Sequence, residues 1–92
     1  EGMIVSNEPG YYENGKFGIR IENLLTVKKN KSSYKFENLT LAPIDKSLIQ
    51  KKLLNEIEIK WLNKYHLKVY NNLKKYMNKN ELPRLKFLCS NI

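Results

Sequence analysis

The chain has 92 residues, 41% hydrophobic and 28% charged, and its 17 Lys and Arg outnumber 9 Asp and Glu to give a formal net charge of +8. That length allows one small domain with a modest core; no apolar run approaches the roughly 18 residues needed to cross a bilayer, and the opening residues lack the order of a secretory signal. With Cys89 as its one cysteine the chain forms no internal disulfide, which favours a reducing compartment.

Strand signals come first. Met3 to Asn7, Ile19 to Lys29 and Tyr34 to Ala42 read as β, the last with Tyr34 and Phe36, then Leu39 and Leu41, at alternate positions. Pro9-Gly10 and Asn14-Gly15 punctuate the first gap and residues 30–33 the second. The third strand is expected to end at Pro43, with Asp45 capping a short helical turn over Lys46 to Ile49. Asn55 followed by Glu58 is a variant capping box, and Leu62, Tyr65, Val69, Leu73 and Tyr76 recur at helical steps, which predicts a helix from Glu56 to Met77. Asn80 is expected to cap a last short helix through Pro83, with Leu82, Leu85 and Leu88 on one side. The fold class is therefore α/β in the α+β sense, with antiparallel strands in residues 1–45 and a helical extension in 46–92.

Two glutamates stand out against this pattern. Met3, Ile4 and Val5 lead into Glu8, and Ile19 and Ile21 into Glu22, so both carboxylates are expected beside buried apolar sheet. A carboxylate so placed must be paired, protonated or bound to a metal. Pro9 biases Glu8 towards extended backbone, and Gly10 lets the chain turn away directly afterwards. Arg20 and Glu22 lie two apart on a strand, so their side chains share a face.

Glu8-Pro9-Gly10-Tyr11-Tyr12, a short turn, then Gly18-Ile19-Arg20-Ile21-Glu22-Asn23 resembles the end of the catalytic domain of the pita-bread metallopeptidases. Within that family the sequence is most similar to the three-domain Xaa-Pro aminopeptidases, through Gly2 to Asn7, Leu39 to Asp45 and Trp61 to His66 as well. The match runs from Gly2 to about His66 and is loose beyond it. The resemblance implies the C-terminal portion of a pita-bread (creatinase/aminopeptidase) domain and a dinuclear site built from two Asp, one His and two Glu, of which only the glutamates lie in this chain. By that resemblance Glu22 bridges two divalent ions, and Glu8 binds one of them and helps to move a proton at the active water. Manganese is the expected metal, with zinc or cobalt able to substitute. Arg20 is expected to hold the ligand carboxylates, and Tyr12 to orient a carboxylate or the substrate. The implied activity is removal of the N-terminal residue from peptides with proline second, in a cytoplasmic homodimer. The remainder of the parent polypeptide is a required partner, no membrane is expected, and the piece alone should be inactive.

Plainer readings compete with these. A lone Glu-Pro-Gly is common turn chemistry, and Glu22 beside Arg20 makes an ordinary surface ion pair, worth under about 1 kcal/mol. His66 has no second ligand at metal spacing and reads as a packing histidine; Trp61 and the helix tyrosines read as core or interface residues. Lys28, Lys29, Lys31 and the pairs Lys51-Lys52 and Lys74-Lys75, interleaved with tyrosines, would suit a nucleic-acid-binding module. They are scattered and fit no recognised motif, so no nucleic acid is expected. A non-catalytic, protein-binding member of the same fold would typically lack the ligand glutamates, which are present here.

Overall fold

A computed structural model describes all residues from Glu1 to Ile92 and divides into two compact units, Glu1–Thr40 and Leu41–Ile92. The first is all β: β1 (Ile4–Asn7), β2 (Gly10–Glu13), β3 (Phe17–Arg20), β4 (Asn23–Asn30) and β5 (Ser33–Asn38). β1, β4 and β5 form a three-stranded sheet in the order β1-β4-β5, β2 and β3 pair separately, and every pairing is antiparallel.

The two ladders share one register. In β1–β4 the last pair is Asn7 with Asn23, and in β2–β3 the first is Gly10 with Arg20. Counting inward from either ladder sets Pro9 opposite Ile21 and Glu8 opposite Glu22. The Ile21 amide still donates to the Pro9 carbonyl at 3.1 Å, but Pro9 has no N–H to return, so regular pairing lapses at the glutamates. The expected single strand from Ile19 to Lys29 is therefore two strands with Glu22 in the break.

Gly10–Glu13, expected as a gap, is a strand. Two adjacent tyrosines favour extended backbone, and the turn that follows has Gly15 at φ 70°, the left-handed conformation a tight reversal requires. At the other end β5 stops at Asn38, short of the expected Ala42. Leu39 still donates to the Leu24 carbonyl at 2.8 Å, but the Leu24 amide turns to the Thr40 hydroxyl at 2.8 Å, and that side chain closes the ladder.

The strand unit exposes its apolar side chains, with Ile4 62%, Ile19 43% and Ile21 47% accessible. The expectation that the glutamates sit beside buried sheet is thus not met within this chain. Short strands in so small a unit have no second layer of their own to cover them.

The helical unit has its own core. The α-helix α1 (Glu56–Leu73) contributes Tyr65 and Val69, α2 (Leu82–Leu88) Leu85, and Cys89 follows directly after α2; against these Leu41, Ile44, Tyr70, Leu73 and Met77 pack. Leu41 and Ile44 belong to this core, so the unit begins at Leu41 and takes in residues assigned from sequence to the strand region. The Tyr65 hydroxyl donates to the Ala42 carbonyl at 2.7 Å. Asp45 caps a 3₁₀ turn at Lys46–Leu48, accepting from the Ser47 amide. The Asn55–Glu58 capping box is formed in both directions, each bond 2.9 Å long.

Two helix ends differ from expectation. α1 gives way to a 3₁₀ turn at Lys74–Tyr76 before Met77 becomes extended, so the α form does not reach Met77. Asn78 supplies the bonds ahead of α2 in place of Asn80: its Oδ1 accepts from the Asn80 and Glu81 amides, while the Glu81 carboxylate accepts from the Asn78 amide. Two residues further back, the Asn78 side chain meets the free Asn80 and Glu81 N–H groups ahead of the helix. α2 continues past Pro83, which lies in the first turn where a missing N–H costs nothing.

Candidate metal centre

Residues two apart on a strand share a face, and so do antiparallel partners. In the common register, Ser6, Glu8, Gly10 and Tyr12 along one run therefore lie across from Leu24, Glu22, Arg20 and Gly18 along the other. All four site residues expected from the sequence, Glu8, Tyr12, Arg20 and Glu22, fall on this one face.

Glu8 and Glu22 are like charges in opposed positions, which repel unless something lies between them. Arg20 does: its Nε is 3.4 Å from Glu22 Oε2 and its Nη1 3.9 Å from Glu8 Oε2. The other Glu8 oxygen, Oε1, accepts from the Ser6 hydroxyl at 2.6 Å. These side chains are about half exposed, so the ion pairs add little to stability. Their effect is geometric, since one guanidinium lies within ion-pair reach of both carboxylates.

The donor set suits hard divalent cations, for which carboxylate oxygens are preferred ligands. No group of three or more His, Cys, Asp or Glu side chains gathers anywhere in the chain, so a metal site that used the two glutamates would need further ligands from outside it. His66 is not one of them. It is fully buried in the helical unit, and its Nε2 accepts the Ile44 amide at 3.0 Å. Burial holds its pKa below the ordinary 6.5, with the Lys46 charge acting in the same direction. Burial likewise pushes the Cys89 thiol up, away from the reactive thiolate.

Sequence reasoning paired Arg20 with Glu22 but did not place Glu8 opposite Glu22, and it passed over Ser6 as a partner of Glu8. The opposition was legible from one signal. Folding the chain about Asn14-Gly15 as a hairpin turn sets the two glutamates equidistant from Gly15.

Residues 32–92 match the C-terminal region of peptidase M24, and residues 1–29 match metallopeptidase family M24. The chain is 41% identical over 91 residues to a probable Xaa-Pro aminopeptidase P of Neosartorya fischeri, and 46% identical over 89 residues to one of Pyrenophora teres f. teres. These matches take in 90% and 88% of this chain and 14% of each relative, so the chain spans about one seventh of their length. Among solved structures, the X-prolyl aminopeptidase of Caenorhabditis elegans, described as a cytosolic enzyme with a di-nuclear active site, matches 97% of this chain and 16% of its own at TM-score 0.82 and 38% identity.

Proposed function

This chain belongs to metallopeptidase family M24, and on that premise we propose that it supplies the last strands and the C-terminal helices of a dinuclear Xaa-Pro aminopeptidase. The parent polypeptide removes the N-terminal residue from peptides with proline second. The observation that carries this reading is the opposition of Glu8 and Glu22 in one unbroken register, with Arg20 between them.

The family resemblance divides the roles: both glutamates would serve as metal ligands, Glu22 shared by the two ions and Glu8 holding one. When bound, the ions supply Lewis-acid polarisation of the scissile carbonyl and a lower pKa for water. Glu8 can then accept and pass on a proton at a carboxylate oxygen, provided the Ser6 hydroxyl and Arg20 keep that carboxylate oriented. Arg20 steadies both ligands, and Tyr12, on the same face, orients a carboxylate or the substrate. Proline in second place leaves no N–H on the bond to be cut, so recognition of that bond must rely on its carbonyl and on ring shape.

Manganese is the metal proposed, from the carboxylate-rich donor set. A cytoplasmic setting agrees with the description of the nematode enzyme as cytosolic. A homodimer is proposed on the family resemblance. The chain alone, holding two ligands, is inactive. The deciding experiment measures Xaa-Pro hydrolysis and metal content of the parent polypeptide and of Glu22→Gln. Two ions per chain, with metal and activity both lost on substitution, uphold the reading; a folded parent that holds no metal and cleaves nothing ends it.

A further inference from the structure

Gly10 and Gly18 occupy strand positions where glycine is a poor choice, because it weakens pairing and packs nothing. Neither has a positive φ, so backbone freedom does not account for them. Space does. A Cβ built on Gly18 would lie 2.5 Å from Tyr12 Cδ1 and 3.0 Å from Cε1; one built on Gly10 would lie 2.6 Å from the Tyr12 hydroxyl and 2.8 Å from Cε2. The Tyr12 ring therefore lies flat along the β2–β3 hairpin, its base over Gly18 and its phenol tip over Gly10.

The direction of the ring matters. Tyr12 is paired with Gly18, and the next pair on the same face is Gly10 with Arg20. Beyond that, in the shared register, are Glu8 and Glu22. Laid from the first of these pairs towards the second, the ring delivers its hydroxyl to the end of the hairpin where the carboxylates are. Any larger residue at position 18 would lift the base of the ring and swing the tip off the face.

We propose that Gly10 and Gly18 form a cradle that fixes the Tyr12 ring flat against the hairpin and so positions its hydroxyl beside Arg20, Glu8 and Glu22. This rests on the reading of the Glu8–Glu22 face as an aminopeptidase centre. The two glycines touch no reacting atom and act through Tyr12. A misplacement of about 1 Å at a positioned group can cost on the order of 100-fold in rate, so the cradle's effect is expected on kcat more than on KM.

The test is a double-mutant cycle in the metal-loaded parent polypeptide, with Gly18→Ala, Tyr12→Ala and the pair. The readouts are kcat and KM on a Xaa-Pro peptide, bound manganese, and the thermal midpoint. Gly18→Ala should lower kcat roughly 10- to 100-fold while metal is retained, and should cost nothing further once Tyr12→Ala has removed the ring. Gly10→Ala, which meets only the movable phenol end, should show the same pattern more weakly and replaces Gly18→Ala if that variant does not fold. Wild-type kcat in Gly18→Ala, or an equal loss with and without the tyrosine ring, overturns the cradle. If the wild-type parent holds metal yet cleaves nothing, the functional reading fails separately. The thermal midpoints then decide: a loss from Gly18→Ala that vanishes beside Tyr12→Ala upholds the cradle, and one that persists refutes it.

Discussion

At the scale of single residues, the centre depends on how the four oxygens of Glu8 and Glu22 are apportioned. One Glu8 oxygen takes the Ser6 hydroxyl at 2.6 Å and the other faces Arg20, so the carboxylate is held from two sides before any ion arrives. Preorganisation of this kind is what supporting partners add to a metal ligand, and its loss typically weakens metal binding 10- to 100-fold. Because Ser6 and Glu8 are exposed here, the lower end applies: Ser6→Ala should weaken manganese binding to the parent roughly tenfold in equilibrium dialysis, and Ser6→Thr, which keeps the hydroxyl, should bind as the wild type does. Equal affinity in the alanine variant would show that Arg20 alone orients Glu8. His66 makes a second single-residue case. Its neutral form is favoured in the fold, because burial opposes the charge and Nε2 must stay unprotonated to accept the Ile44 amide. A pKa below the unfolded 6.5 means that the unfolded chain binds more protons, so this contribution is complete above about pH 6.5 and fades as pH falls towards the depressed value. Protection of the Ile44 amide against hydrogen exchange, corrected for intrinsic rate, should therefore decline below pH 6.5 in the wild type. In His66→Gln, whose side-chain oxygen can accept the same N–H but not titrate, it should stay level over that range.

At the scale of elements, helices were more legible than strands for a physical reason. A helix announces itself within a few residues, so the Asn55–Glu58 box and the spacing of Leu62, Tyr65 and Val69 placed the start of α1 correctly. A strand is completed by its partner, and partners lie far away in sequence. Ile19 to Lys29 looked continuous because its β propensity is continuous; the break at Glu22 follows from Pro9, which belongs to the opposite run and withholds an N–H. Gly10–Glu13 was overlooked because glycine and proline nearby read as turn, whereas Gly10 is there to admit the Tyr12 ring. The candidate residues stood out individually, from their motifs. Their opposition was not read, because it belongs to the register. Helix ends were also hard to place. Lys46, distant in sequence from α2, donates through Nζ to the Phe87 and Ser90 carbonyls at 2.9 and 2.8 Å, a C-terminal cap that no local pattern announces.

At the scale of the whole molecule, the two units differ in how far each satisfies itself. The helical unit encloses a core around Val69 and His66, both fully buried. The strand unit leaves Met3 66%, Tyr34 63% and Phe36 64% exposed, apolar surface that a free-standing protein seldom presents in such concentration, with β1 and β5 as open edges. The isolated 92-residue chain should accordingly bind a hydrophobic dye such as ANS and self-associate in gel filtration, while the parent polypeptide, which covers these strands under the proposed reading, should do neither. A monomeric, dye-silent isolated chain would mean that the strand unit closes on itself in solution. The shared register has one more consequence. Connecting turns ordinarily tolerate insertion and deletion freely, but the turn between β2 and β3 sets how the chain is measured out on either side of it. Change the letters at Asn14 or Lys16 and the glutamates stay opposed; add or remove one, and side chains step to the opposite face all along the slipped run. This bend is a ruler whose length, more than its spelling, inheritance has to preserve.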